Sequence, residues 1–179
     1  MNPVMTDHAI RPSTDADIPA ITAIYAPEVR GGVASFELDP PDAAEMARRR
    51  DGVLALGLPY LVAEADGAVA AYAYAGLYHP RPGYRFTVED SIYVAPHARG
   101  RGLGGALLRA LIAECEAWGA RRMVALIGDS ANAASIALHA RAGFRVAGCL
   151  PAVGWKHGRW LDAVLMQRAL GEGEATAPT

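Results

Sequence analysis

The stretch from Val88 to Ala106, VEDSIYVAPHARGRGLGGA, constrains the fold more than any other part of the chain. It reads as a strand, a proline stop, a glycine-rich turn and the start of a helix. Val88, Ile92, Tyr93 and Val94 are β-branched or aromatic and suit a pleated, half-buried surface. Pro96 ends the strand because it cannot donate to a ladder. In Arg99-Gly100-Arg101-Gly102-Leu103-Gly104-Gly105 the glycines let the backbone come close to a ligand. The first N–H groups of the following helix have no intrahelical partner. Such a loop at a helix N-terminus binds phosphate, and Arg99 and Arg101 add positive charge and bidentate donors. The stretch therefore predicts an anionic ligand that carries a pyrophosphate.

Two kinds of site use a loop of this form. Gly100-x-Gly102-x-x-Gly105 fits the dinucleotide fingerprint, follows a strand and opens a helix, and Asp129 stands after the next strand. A dinucleotide domain, however, wants repeated βαβ units on both sides. Here a hairpin-like pair of strands precedes the loop and one clear βαβ unit follows it. The same residues read Arg99-x-x-Gly102-x-Gly104, which resembles the acetyl-CoA loop of the GCN5-related N-acetyltransferases. The neighbourhood favours this second reading.

A chain of 179 residues suits one domain with a sizeable core, read here as residues 1–170, with 171–179 as a disordered tail. Apolar residues make up 52% and charged residues 20%, a globular balance. The net charge of −2 offers no footprint for nucleic acid. Cys115 and Cys149 read as small buried hydrophobes, with no metal-binding spacing. MNPVMTDHAIR lacks the apolar centre of a signal peptide, and Val69 to Leu77 is too short to span a bilayer. These features predict a cytoplasmic protein with no membrane partner.

Taken in order, Ala9 to Arg11 is a first strand, and Thr14 or Asp15 caps a helix with Ile18, Ile21, Ile24 and Tyr25 on its buried face. That helix fades between Pro27 and Gly31, and Val33 to Glu37 is a loop. A second helix begins at Pro40-Pro41 and runs over Asp42 to Leu56, with Arg48-Arg49-Arg50 as a solvated face. Tyr60 to Glu64 and Val69 to Leu77 are strands joined by the hairpin turn Asp66-Gly67. Tyr78 to Gly83 is an irregular loop. After the glycine loop, Leu107, Leu108, Leu111, Ile112, Cys115 and Trp118 form the apolar stripe of a helix that ends at Gly119. Met123 to Ile127 is a strand in the middle of a sheet. Asn132 to Ala142 is a helix, Phe144 to Leu150 a strand, Gly154 to Trp160 a loop, and Trp160 to Leu170 the last strand. This order defines an α+β fold, a mixed central sheet with helices on both faces.

That order, with the Arg99 loop, resembles the GCN5-related N-acetyltransferase (GNAT) fold over about Ile10 to Leu170. Asn132-Ala133-Ala134-Ser135-Ile136-Ala137-Leu138-His139, followed by Ala142-Gly143-Phe144, looks like that family's penultimate helix and its Gly-Phe exit. His139 departs from the commonest pattern, which has a tyrosine there. Thr87 to Val94, the His139 helix and Gly154-Trp155-Lys156-His157-Gly158-x-Trp160 together look like the phosphinothricin and methionine sulfoximine/sulfone N-acetyltransferases. Tyr60 to Glu64 and Ala71 to Gly76 also match.

The resemblance implies an acetyl-CoA-dependent transfer to the amino group of a small amino-acid analogue, a detoxification reaction, with no metal and with a homodimer as the working unit. The backbone of Ile92, Tyr93 and Val94 would pair with the pantetheine amides as an added strand does. N–H groups from Arg99, Gly100, Arg101, Gly102, Leu103, Gly104 and Gly105 would hold the pyrophosphate, and Asn132 and Ser135 would meet the pantetheine arm. Glu89, among Phe86, Val88, Ile92 and Tyr93, could have a raised pKa and act as base. His139 could be a general acid or relay, or a satisfied core histidine. Arg85 would grip a carboxylate of the acceptor between Tyr84 and Phe36. Lys156 and His157 would close over the site or lie at a subunit contact. Two other readings compete: a GNAT acting on a protein N-terminus or another amine, and a non-catalytic acyl-CoA-binding domain. The first wants an open peptide groove, whereas Tyr78 to Tyr84 and Gly154 to Trp160 look like loops that close a small pocket.

Overall fold

The computed structural model describes residues 8–178. Among the described residues, seven strands form one mixed sheet in the order β1-β2-β3-β4-β5-β7-β6. They are β1 (His8–Pro12), β2 (Tyr60–Ala65), β3 (Ala68–Leu77), β4 (Thr87–Val94), β5 (Arg122–Gly128), β6 (Arg145–Lys156) and β7 (Arg159–Ala169). Every pairing is antiparallel except β4 with β5. Four helices cover it: α1 (Ile18–Arg30), α2 (Ala43–Ala55), α3 (Leu103–Trp118) and α4 (Ala133–Arg141). The expected mixed sheet with helices on both faces is what forms.

Strand alternation decides which face each helix covers. Tyr72, Tyr74 and Tyr93 point one way and stack into a ladder with Tyr60, and Tyr25 of α1 meets Tyr93 edge-on at 4.9 Å. Ala71, Ala73, Val88 and Ile92 point the other way. Small alanines there let α3 lie close, with Leu107, Leu108, Leu111 and Cys115 fully buried against them. The chain thus places bulk on one face and a heavy helix on the other.

Helix ends follow the local chemistry. Asp42 caps α2 by accepting from the Glu45 N–H at 2.8 Å. Thr14 and Asp17 form a reciprocal capping box, but around a short 3₁₀ turn at Asp15–Asp17 that leads into α1. Asn132 caps α4 by accepting from the Ser135 N–H at 3.2 Å. Ser130, just before it, donates to Asp162 at 2.6 Å.

Three expectations are corrected. Arg50 is not part of a solvated face: it is buried and donates to Ser13 Oγ and Ser13 O, each at 2.7 Å, and to Asp15 at 2.7 Å, tying α2 to the end of β1. Arg48 and Arg49 do face outward, paired with Glu45. Cys149 is exposed, because β6 is an edge strand open on both faces, whereas Cys115 is buried with its thiol pushed up to about 12 by that burial. Gly154 to Trp160 is not a loop but the closing end of the β6–β7 hairpin, with Trp155 opposite Trp160 and Lys156 opposite Arg159. His157 and Gly158, both at positive φ, make the two-residue turn that suits a twisted hairpin. Residues 171–178 follow Leu170 in turns whose Glu172, Glu174 and Thr176 meet Arg121 and Arg122. No helix among the described residues is long and apolar enough to cross a membrane. The reading of the N-terminal residues as free of a leader falls mostly on residues 1–7, outside the described residues.

Candidate active site

β4 and β5 are paired only from Thr87 opposite Arg122 to Asp90 opposite Ala125. Beyond that point they part. β4 continues to Val94 beside β3, and β5 continues to Gly128 beside β7. The backbone groups of Ser91 to Val94 that point away from β3 therefore face a cleft, where they still need partners.

Two adjoining cavities fill the cleft. One, of about 650 Å³, runs from Val94 along Arg99, Gly100, Gly102, Leu103, Gly104 and Gly105 to Asn132 and Ser135. The other, of about 490 Å³, is a chamber walled by Phe36, Glu37, Glu89, Asp90 and His139. Ile92, Tyr93, Asn132 and Ser135 line both, so the groove opens into the chamber.

The groove fits a pyrophosphate. Gly102, at φ 84°, is the N-cap of α3, and the first intrahelical bond runs from Ala106 N–H to Gly102 O at 3.1 Å. The N–H groups of Leu103, Gly104 and Gly105 are therefore free of the helix ladder and concentrate its positive end. No heavy atom lies within 4 Å of where a Cβ would stand on Gly100 or Gly102. Arg99 pairs with Glu28, which lines the same groove. Arg101 alone of the expected set turns away, to Asp66 at 2.5 Å, and contributes its backbone position rather than its charge.

Glu89 projects on the tyrosine face of β4 and Asp90 on the helix face, yet both line the chamber because the sheet is split there. Glu89 has no hydrogen-bond partner among the described residues. Burial, reinforced by the charge of Asp90, holds its carboxyl above the usual carboxylate range. His139 lies across the chamber, its Nε2 3.0 Å from Asp90 Oδ2 and its Nδ1 2.8 Å from Ser135 O. Burial works against its charged form, but the bond to Asp90 and the Asp90 charge outweigh it and raise its pKa. Phe144 packs edge-on against the ring at 5.1 Å.

The loop between α1 and α2 roofs the chamber, and the β6–β7 hairpin holds that roof down. The buried Lys156 donates to Ser35 O at 2.6 Å and Glu28 O at 3.3 Å, and His157 Nε2 meets Gly32 O at 3.0 Å. Tyr25 OH donates to Glu37 at 2.8 Å and sits 2.8 Å from Ser35 Oγ. Phe36 rests on Gly154: a Cβ there would come within 2.2 Å of its ring. Gly154→Ala should therefore displace Phe36. Overpacking of this kind costs about 1–3 kcal/mol of stability. Thermal melts should show that loss as a lower melting temperature than that of the parent protein.

Tyr84 and Arg85 do not join Phe36 in the chamber. The 3₁₀ turn at Pro82–Tyr84 carries them past the Thr87 end of β4, away from the split. Tyr84 packs on Tyr78 at 5.8 Å beside a small cavity against β5 and β7, and the Arg85 guanidinium sits over Phe86 at 4.4 Å. Asp90, Ser35, Glu37 and Tyr25 were not among the site residues expected from the sequence. Asp90 did leave a signal, since it shares the period-two face of Val88 and Ile92, where a carboxylate needs a reason.

Against known proteins, the acetyltransferase (GNAT) family model matches residues 20–144. The chain belongs to the GNAT family of acetyltransferases. It is 57% identical over 169 residues to a phosphinothricin N-acetyltransferase of Alcaligenes faecalis, covering 94% of this chain and 86% of that one. It is 46% identical over 160 residues to an L-methionine sulfoximine/L-methionine sulfone acetyltransferase of Pseudomonas paraeruginosa, covering 89% and 92%. The fold superposes with a TM-score of 0.94 on the crystal structure of a GNAT superfamily phosphinothricin acetyltransferase from Sinorhizobium meliloti in complex with acetyl-CoA. The two are 50% identical, over 98% of this chain and 94% of that one.

Proposed function

We propose that the protein acetylates the amino group of a small amino-acid analogue of the phosphinothricin, methionine sulfoximine or methionine sulfone type, with acetyl-CoA as cosubstrate and residues 1–170 as one catalytic domain. The observation that supports this reading is the meeting of a groove lined by the glycine loop with a roofed chamber that holds a partly buried carboxylate with no hydrogen-bond partner among the described residues. A chamber of about 490 Å³ under the Phe36 roof suits a small acceptor better than a peptide.

When bound, acetyl-CoA supplies an acetyl group on a thioester. The α3 N-terminal amides and the glycine loop hold its pyrophosphate, and the outward β4 amides hold its pantetheine arm, which aims the acyl end into the chamber. Glu89 accepts the proton that the amine must lose. Phe36 supplies an apolar wall. Asn132 and Ser135 stand where groove and chamber meet and orient the arm.

The deciding experiment measures thiol release from acetyl-CoA with methionine sulfoximine, methionine sulfone, phosphinothricin and a peptide as acceptors. Turnover is expected with one or more of the three small acceptors and not with the peptide. Turnover with the peptide alone, or with none of the four, overturns the reading.

We further propose a cytoplasmic homodimer. Trp155 and Trp160 are 57% and 61% exposed and pack edge-on at 5.2 Å, beside exposed Val146, Leu150 and Val153 on the same hairpin. Such a patch suits an interface core. Light scattering should give twice the chain mass at micromolar concentration, and Trp155→Glu with Trp160→Glu should halve it. A monomeric parent protein rules the dimer out.

A further inference from the structure

Asp90 has no part in the reaction as written above, yet its side chain is only 2% exposed. It sits on β4 between α3 and α4 and touches the chamber from the face opposite Glu89. Its Oδ2 lies 3.0 Å from His139 Nε2. The other ring nitrogen, Nδ1, lies 2.8 Å from the carbonyl oxygen of Ser135. A carbonyl can only accept, so Nδ1 carries a hydrogen. An ionised carboxylate can only accept as well. The one form of histidine that supplies a donor to both sides is the imidazolium. Ser135 Oγ, 3.4 Å from the same Nδ1, is a hydroxyl that turns to suit either arrangement.

Charge balance points the same way. Asp90 Oδ1 is buried with no hydrogen-bond partner among the described residues. A buried carboxylate with one bare oxygen needs a cation close by, and His139 is the group that pairs with it.

We propose that Asp90 is a positioning residue: its carboxylate holds His139 as a two-donor imidazolium, which bars His139 from accepting the proton of the amine and leaves Glu89 as the proton acceptor of the chamber. This rests on the acetyltransferase reading only for its kinetic consequences. The chemistry balances without a histidine acid. The acceptor enters as its ammonium and gives one proton to Glu89, which passes it to solvent. The free amine then attacks, the C–N bond forms, the C–S bond breaks with its electron pair leaving on sulfur, and the second nitrogen-bound proton goes to Glu89. A thiol with a pKa of about 8.5 departs as thiolate near neutral pH without a donor. Glu89 then releases its proton to solvent.

Asp90 also acts on Glu89 through its charge. The other groups that face these side chains are Tyr74 on β3, Cys115 on α3 and Glu37 from the roof loop. Burial keeps Tyr74 and Cys115 protonated in the working range, and Glu37 is engaged by Arg49 and Tyr25. Asp90 is therefore the negative neighbour whose removal Glu89 would feel.

The first test uses the full-length parent protein. Long-range ¹H–¹⁵N spectra at pH 7.5, about one unit above the ordinary histidine pKa, should show both His139 ring nitrogens protonated, the signals being identified by their loss in His139→Gln. A neutral tautomer at that pH overturns the proposal. In Asp90→Asn, His139 should become neutral at the same pH. A folded Asp90→Asn protein with His139 still doubly protonated also overturns it. Should Asp90→Asn fail to fold, the parent spectrum and the His139→Gln profile decide. His139→Gln should retain every limb of the parent's pH profile, and loss of a limb would show that His139 transfers a proton. A parent protein that acetylates no acceptor refutes the proposed function, while the spectrum still reads the state of His139.

Discussion

Glu89→Gln should lower kcat by about 10²- to 10⁴-fold, the usual worth of a general base. Glutamine keeps the shape of glutamate and one accepting oxygen, so the chamber should keep its form. It cannot take a proton. An amino group is mostly protonated at neutral pH and does not attack in that form, so the parent enzyme needs an acceptor within the chamber. Glu89 is suited to this because burial and the Asp90 charge raise its pKa, and because its oxygens have no hydrogen-bond partner among the described residues. The sign of the pH effect follows. Glu89 must be ionised to act, so parent activity falls as pH drops through its raised pKa. In Glu89→Gln that acid limb should vanish along with most of the turnover. Acetyl-CoA affinity, set in the groove, should stay within about twofold of the parent, well inside the 1.4 kcal/mol that a tenfold change represents. Near-normal turnover with the same acid limb would show that another group removes the proton.

How far the site can be read from sequence depends on whether its residues are local or brought together by the fold. The groove is local: strand, proline, glycines and helix follow one another between Val88 and Trp118, and each step has its own chemistry. The strands and helices were legible for the same reason, including Asp66-Gly67 as a hairpin turn. His157-Gly158 makes the same kind of turn, but histidine is a poor advertisement for positive φ, and the aromatic run around it read as a loop. The chamber is different. Its roof depends on Lys156 reaching Ser35 across 121 positions, and the pairing of Asp90 with His139 spans 49. No periodicity shows such contacts. Tyr84 and Arg85 stand near Glu89 in sequence, and that proximity misled, because a single 3₁₀ turn separates them from the split. Arg50 was misjudged for a related reason: a charged residue in a basic run looks solvated until the fold sets Ser13 and Asp15 beside it.

Gly102→Glu should abolish acetyl-CoA binding, weakening it at least about a hundredfold, without unfolding the protein. Three effects combine. Gly102 lies at φ 84°, where an L side chain is strained. That strain costs about 1–3 kcal/mol, which a domain of ordinary stability, about 5–15 kcal/mol, survives. The new side chain meets no protein atom within 4 Å of its Cβ, so packing does not oppose it. It does enter the space in front of the free amides of Leu103, Gly104 and Gly105. Its carboxylate can accept from those amides itself and repels a pyrophosphate that comes to do the same. Gly102→Ala separates the parts. It carries the same backbone strain but no charge and little reach, so it should melt at nearly the same temperature as Gly102→Glu while retaining most of the affinity. Calorimetric titration of both variants with acetyl-CoA, next to thermal melts, makes the comparison. A folded Gly102→Glu protein with unchanged affinity would show that the pyrophosphate is held elsewhere.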